Sequence, residues 1–88
     1  MSDLGTVSIQ PSAEYQDLGT LAGVTFASGT TYTLQVEGDV KICEKATKPT
    51  SGGFRVNFNY PFDYEAGGDT LWVKAMSNVK SNSITIAD

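Results

Sequence analysis

Apolar and polar residues alternate with a strict period of two through much of this chain. Residues 31–36, 54–60, 71–75 and 83–87 each place a β-branched, aromatic or other apolar residue at every second position. This is the pattern of a half-buried antiparallel strand, because successive side chains of a strand point to opposite faces of the sheet. No segment shows a helical period. The sequence therefore predicts an all-β protein with no substantial helix.

Turn residues between these segments predict about seven short strands in one small antiparallel β-sandwich or barrel, over residues 14–88. Gly38 follows the strand at 31–36, and glycine supplies the positive φ of a tight turn, so a hairpin with residues 40–44 is expected. A second, closing hairpin should join 71–75 to 83–87, whereas residues 62–69 are expected to form an acidic loop. The predicted strands are residues 15–18, 24–26, 31–36, 40–44, 54–60, 71–75 and 83–87.

Residues 1–13 are predicted to be an N-terminal arm or an edge strand. They contain one segment with strand propensity, which ends at Pro11. So short a strand must pair with another strand or fray. The segment is therefore either a loose terminus or an arm that pairs with the sheet edge of a neighbouring subunit. In the second case it supplies candidate partner-binding residues: Thr6, Val7, Ser8, Ile9 and Gln10.

The chain has 88 residues, which is enough for one domain with a thin stability margin. It has one Cys and no His, so neither an intramolecular disulfide nor an ordinary zinc site can brace it. Small unbraced domains often gain stability by oligomerising, and we expect a homo-oligomer, with a trimer favoured. The expected core is Tyr32, Leu34, Val36, Val40, Ile42, Phe54, Val56, Phe58, Leu71, Val73, Ile84 and Ile86.

The net charge of −4 disfavours binding to nucleic acid, and the basic residues are scattered along the chain. No apolar run is long enough to span a membrane. The first five residues have no signal-peptide character, so synthesis in a cytoplasm is expected.

No catalytic constellation is recognisable, so we expect no enzyme activity, no cofactor and no metal. Ser77 and Lys80 fit a Ser-x-x-Lys pattern, but they lie in a predicted loop rather than at the start of a helix. Asp63, Glu65 and Asp69 could form a glycosidase-type pair or a cation site. The favoured interpretation is a solvated acidic loop, because the twelve-residue calcium-loop pattern is missing.

Four aromatic residues form the remaining candidate partner-binding group: Tyr60, Phe62, Tyr64 and Trp72. Exposed on one flat face, they would make a platform for stacking on sugars. The favoured alternative places these rings in the core or at a subunit interface, because a domain this small has few other large side chains to fill its centre.

The order of several segments resembles short all-β virion proteins of tailed bacteriophages, over residues 29–87. The resemblance begins at Gly29-Thr30-Thr31-Tyr32-Thr33-Leu34-Gln35 and continues through a strand at 40–43 and a loop with Pro49. It ends with Gly68-Asp69-Thr70-Leu71-Trp72-Val73-Lys74-Ala75 and Ser83-Ile84-Thr85-Ile86. One departure is the turn after the first of these strands, where the group often has an Asn shortly before the Gly and this chain has Val36-Glu37-Gly38.

The resemblance implies a non-enzymatic structural protein of the virion, made in the host cytoplasm. Its expected role is that of a capsid decoration or cement subunit that binds the major capsid protein or other virion proteins. The alternative is a carbohydrate- or receptor-binding module of a phage tail or fibre. The sequence does not distinguish head, neck and tail as the position on the particle.

Overall fold

The computed structural model describes residues 3–11, 14–57, 59–76 and 82–88, which form eight strands and one short helix. The all-β prediction is confirmed. None of the helical structure in these residues is long and apolar enough to cross a membrane. The elements are β1 (Asp3–Ser8), β2 (Gln16–Asp17), α1 (Leu18–Ala22), β3 (Thr31–Glu37), β4 (Val40–Lys45), β5 (Phe54–Val56), β6 (Phe62–Glu65), β7 (Thr70–Ala75) and β8 (Ser83–Ala87).

The strands form two antiparallel four-stranded sheets packed as a sandwich, which confirms that architecture and excludes a closed barrel. Sheet A has the order β1-β8-β3-β6, and sheet B has the order β2-β7-β4-β5. With eight strands divided in this order, the topology is that of a jelly roll, the double Greek key found in many two-sheet proteins.

Both predicted hairpins are wrong. β3 and β4 lie in different sheets, and so do β7 and β8. Alternation identifies the buried side of each strand, but it does not say which sheet the strand joins. Val36 and Val40 both point inward, as they would in a hairpin, but they do so from opposite sides of the core. Among the strands that the structure describes, only β4 and β5 are neighbours both in sequence and in a sheet.

The turn between β3 and β4 is held by asparagines from distant parts of the chain. Asn82 Oδ1 accepts a hydrogen bond from Asp39 N at 2.9 Å, and Asn59 Oδ1 accepts one from Gly38 N at 3.0 Å. Asn82 is itself buried, and its carbonyl accepts from Ile9 N at 2.8 Å. These contacts satisfy backbone groups where the chain crosses between sheets, which a local hairpin would not require.

The core lies between the sheets and is supplied mainly by the central strands. Phe54 is wrongly predicted as a core residue: it is 77% exposed, because β5 is a three-residue edge strand. Ile42 is only half-buried, and Phe58 lies outside the described residues. The fully buried larger side chains are Leu18, Leu34, Val36, Val40, Val73, Ile84 and Ile86.

The N-terminal segment is an edge strand of this chain's own sheet. β1 pairs with β8, and Ile9, the residue that follows β1, is 2% exposed. Leu4 and Val7 pack against the core. The segment thus contributes to the sandwich itself.

Three other local predictions are corrected. Residues 62–65 form strand β6 rather than loop, because Phe62 and Tyr64 alternate with acids and pair with β3. Residues 24–26 are not a strand. The segment at 15–18 contains the two-residue β2 and then enters α1, whose first turn is capped by the Asp17 carboxylate accepting from Thr20 N at 3.3 Å.

The corrected placements predict a large loss of stability for one substitution and almost no change for another. Ile9→Ala should lower the free energy of unfolding by about 2–5 kcal/mol, because it leaves a cavity under β1. Phe54→Ala should change it by no more than about 0.5 kcal/mol, because the ring is mostly in solvent. Urea denaturation followed by Trp72 fluorescence measures both. A larger loss for Phe54→Ala than for Ile9→Ala would contradict the described core.

Candidate functional site

The four candidate aromatics do not share one face. Phe62 and Tyr64 pair with the inward-facing Leu34 and Tyr32 and lie half-buried between the sheets. Trp72 lies on the outer face of sheet B, where its Nε1 donates to the carbonyl of Lys45 at 3.0 Å. Tyr60 is 59% exposed in the connection from β5 to β6. A flat platform made from these rings is therefore not present.

The candidate residues of the N-terminal segment are also divided. Thr6 and Ser8 face outward from sheet A, and Thr6 Oγ1 lies 2.7 Å from Thr85 Oγ1. Val7 packs on the core and Ile9 is buried. Gln10 is exposed, and its carbonyl accepts from Gln16 Nε2 at 3.2 Å.

The three candidate acids are separated as well. Asp63 and Glu65 project from the outer face of β6, and Asp63 accepts a hydrogen bond from Thr33 Oγ1 at 3.4 Å. Asp69 lines a cleft described below. Among the described residues, no group of three or more His, Cys, Asp or Glu side chains is placed to hold a metal ion.

Strand register brings together basic residues that are far apart in sequence. Arg55 of β5 pairs with Lys41 of β4, and Lys41 pairs with Lys74 of β7. Each is adjacent in its strand to a buried residue, namely Val40, Val56 or Val73, so their side chains lie on the outer face of sheet B. We call Lys41, Lys74 and Arg55 the cation row. The sequence-based view that the basic residues are only scattered is wrong for this face.

The cation row places like charges side by side. Like charges directly opposite each other on paired strands destabilise a sheet. Arg55 is compensated by a bidentate pair with Asp39, whose Oδ1 accepts from Arg55 Nε at 2.9 Å. Lys74 Nζ lies 5.9 Å from the ring centre of Tyr15. Among the described residues no acidic side chain pairs with Lys41, which stands between the other two cations.

The outer face of sheet A has the opposite character. Its four strands contain neither Lys nor Arg among their described residues. Glu37, Asp63 and Glu65 project outward there, beside Thr, Ser and Gln side chains. The two broad faces of the sandwich therefore differ in charge, although the whole chain is acidic.

The four sheet edges are poorly suited to pairing with another strand. β1 carries a bulge at Asp3–Gly5, β2 has two residues and β5 has three. β6 follows Pro61 and presents two exposed acids. Bulges, short strands and charges are the usual means by which edges avoid unwanted pairing. The broad faces are the more suitable contact surfaces.

A cleft of about 420 Å³ lies between α1 with its following loop and the start of β7. Asp17, Thr20, Val24, Thr25 and Phe26 line one side, together with two glycines. Gly68, Asp69, Thr70 and Leu71 line the other. None of the lining residues is basic. Sequence reasoning missed this cleft because it depends on how two distant segments pack.

Both walls of the cleft are fixed by hydrogen bonds. On one side, Val24 N donates to Gly19 O at 2.9 Å, and Ala27 N donates to the buried Tyr32 hydroxyl at 2.7 Å. On the other, Gly67 N donates to Glu44 Oε2 at 3.1 Å. The same carboxylate oxygen accepts from the Tyr64 hydroxyl, which ties β6 of sheet A to β4 of sheet B.

Phe26, on the cleft wall, packs against the two tyrosines of these hydrogen bonds. Its ring packs edge-on against Tyr32 at 4.9 Å and against Tyr64 at 5.7 Å between ring centres. These T-shaped contacts hold the ring in one orientation at the cleft wall. Burial is the largest cause that raises the pKa of the Tyr64 phenol well above its usual value, and the hydrogen bond to Glu44 is the next largest.

Comparison of the chain with models of known protein families, with curated proteins and with solved structures found no match.

The raised pKa of Tyr64 predicts a dependence of stability on alkaline pH. Because the folded state holds the phenol protonated, this contribution is complete below the unfolded pKa of about 10 and is lost as the pH rises through the higher folded pKa. Tyr64→Phe should therefore flatten part of the alkaline fall in the free energy of unfolding.

The matched variant is Glu44→Gln, which removes the charge but keeps an acceptor for the phenol. It should lower the Tyr64 pKa only partly, since burial remains. The difference in phenolate absorbance between each titrated protein and its Tyr64→Phe counterpart isolates this group. A phenolate signal near pH about 10 that the folded protein loses after Tyr64→Phe would contradict the described contact, because a solvated phenol titrates there.

Proposed function

We propose that this protein is a non-enzymatic structural subunit of a tailed-phage particle, of the capsid decoration or cement kind. In this proposal it attaches to an acidic surface of the major capsid protein or another virion protein through the outer face of sheet B. The resemblance over residues 29–87 supports the phage assignment. The jelly-roll topology is compatible with it, because viral capsid proteins use this architecture, although lectins and cupins use it too.

The observation that carries the proposal is the cation row. Lys41 lies between two other cations without an acidic partner among the described residues, an arrangement that costs the sheet stability. Positions that break a local rule in this way are often functional sites. An acidic partner surface would turn the repulsion into favourable charge pairing and would select which face of the subunit docks.

Self-association remains part of the proposal. A domain of this size has a limited core of its own, and a trimer is the favoured oligomer. Native mass spectrometry of the free protein tests the oligomeric state separately from attachment to a particle.

Lys41→Glu should affect stability and attachment in opposite directions. A Glu at position 41 would be attracted to Arg55 and Lys74, whereas Lys41 is repelled by them, so the free energy of unfolding should rise by roughly 0.2–1 kcal/mol. Attachment to an acidic surface should weaken, most clearly at low ionic strength where charges are least screened. Urea denaturation measures stability, and co-sedimentation with purified particles lacking the protein measures attachment.

Lys48→Glu is the matched control. It changes the net charge by the same amount but lies in the loop after β4, where Lys48 pairs with Glu14 at 3.5 Å and both side chains are largely exposed. Attachment should be close to that of the unmodified protein. Equal weakening by both variants would show that net charge, not the cation row, controls attachment.

The phage assignment has its own test. Mass spectrometry of purified particles from the phage that encodes this chain should detect it as a virion component. Its absence from intact particles would refute the assignment, while the charge-dependent role of the outer face of sheet B could still be examined with the variants above.

A further inference from the structure

We propose that the cleft between α1 and the start of β7 binds a neutral sugar unit. This inference does not depend on the proposed attachment to a particle, and it does not use the sugar-stacking platform of Tyr60, Phe62, Tyr64 and Trp72, which is the less favoured interpretation of those rings. It is based on the size of the cleft, the chemistry of its lining and the way its walls are held.

The lining matches the groups of a neutral sugar. Carboxylates of Asp17 and Asp69 accept hydrogen bonds from sugar hydroxyls, and the Thr20, Thr25 and Thr70 hydroxyls both donate and accept. The Phe26 ring offers an apolar surface to the C–H face of a pyranose. Two carboxylates and no basic residue among the lining disfavour phosphorylated or sulfated ligands.

The dimensions and rigidity also fit a small ligand. At about 420 Å³ the cleft falls near the lower end of the range of about 300–1,000 Å³ for small-molecule sites. Gly19 allows α1 to pack closely against the following loop, because an added Cβ there would lie 2.7 Å from Val24 O. Walls that are already fixed lose little conformational entropy when a ligand binds.

The Asp17 carboxylate joins the cleft to α1. Its Oδ1 caps the helix by accepting from Thr20 N, which fixes the side chain on the cleft wall and leaves capacity for further hydrogen bonds. Asp69 is exposed and accepts no hydrogen bond from the other described residues, so its carboxylate is available to a ligand.

The test is titration of the ¹⁵N-labelled protein with glucose, galactose, mannose, N-acetylglucosamine and N-acetylgalactosamine, followed by amide chemical shifts. At least one of these sugars should shift amides confined to residues 17–26 and 68–71. Asp69→Ala should weaken that binding by about tenfold or more, because it removes a charged hydrogen-bond acceptor.

Asp63→Ala is the matched control, since it removes an equally charged, exposed carboxylate from the outer face of sheet A. It should bind the sugar as the unmodified protein does, and amide spectra show that both variants are folded. The proposal is overturned if no sugar in this set shifts the cleft amides, or if Asp69→Ala and Asp63→Ala bind equally well. Calcium chloride shifting these amides while every sugar leaves them unchanged would overturn it in favour of a cation site.

Discussion

The alternation of consecutive strands between the two sheets is the constraint on which the rest of this structure depends. Among the described strands, every step from one strand to the next along the chain changes sheet except the step from β4 to β5. Neither sheet can therefore form completely from local pairing alone. The two sheets and the core between them must assemble at the same time. Loop closure precedes most of the favourable contacts, so the fold is of the kind expected to form slowly. The same interleaving brings residues 41, 55 and 74 into one row and residues 17–26 beside 68–71.

Sequence analysis could predict which residues face inward but not which strands are neighbours. Leu34, Val36, Ile84 and Ile86 are buried as expected, because an alternating strand in a sandwich has one buried face wherever it lies. The crossings between sheets depend on polar contacts such as that between Asn82 and Asp39, which are 43 residues apart and leave no local signal. Phe54 is exposed because β5 lies at the edge of its sheet. The sequence did not predict this, because hydrophobicity alone does not reveal where a sheet ends.

The candidate site follows the same division. Alternation already places Lys41, Arg55 and Lys74 on outward-facing positions, so their orientation was available from the sequence. Their adjacency required the pairing of β5 with β4 and of β4 with β7. The aromatic residues illustrate the opposite case, because Tyr60, Tyr64 and Trp72 are close in sequence but belong to different surfaces. Nearness along the chain is a poor guide to shared sites where most connections change sheets.

Charge distribution gives the two broad faces different capacities for contact. A net charge of −4 favours solubility and opposes self-association through like surfaces. The cation row is a local exception within that field, and it lies on the outer face of sheet B, whose two edge strands are short. A partner with acidic groups is then attracted to the outer face of sheet B and repelled by that of sheet A. An orientation chosen in this way requires no protruding arm and no free strand edge, because unlike charges on the two faces suffice to distinguish them.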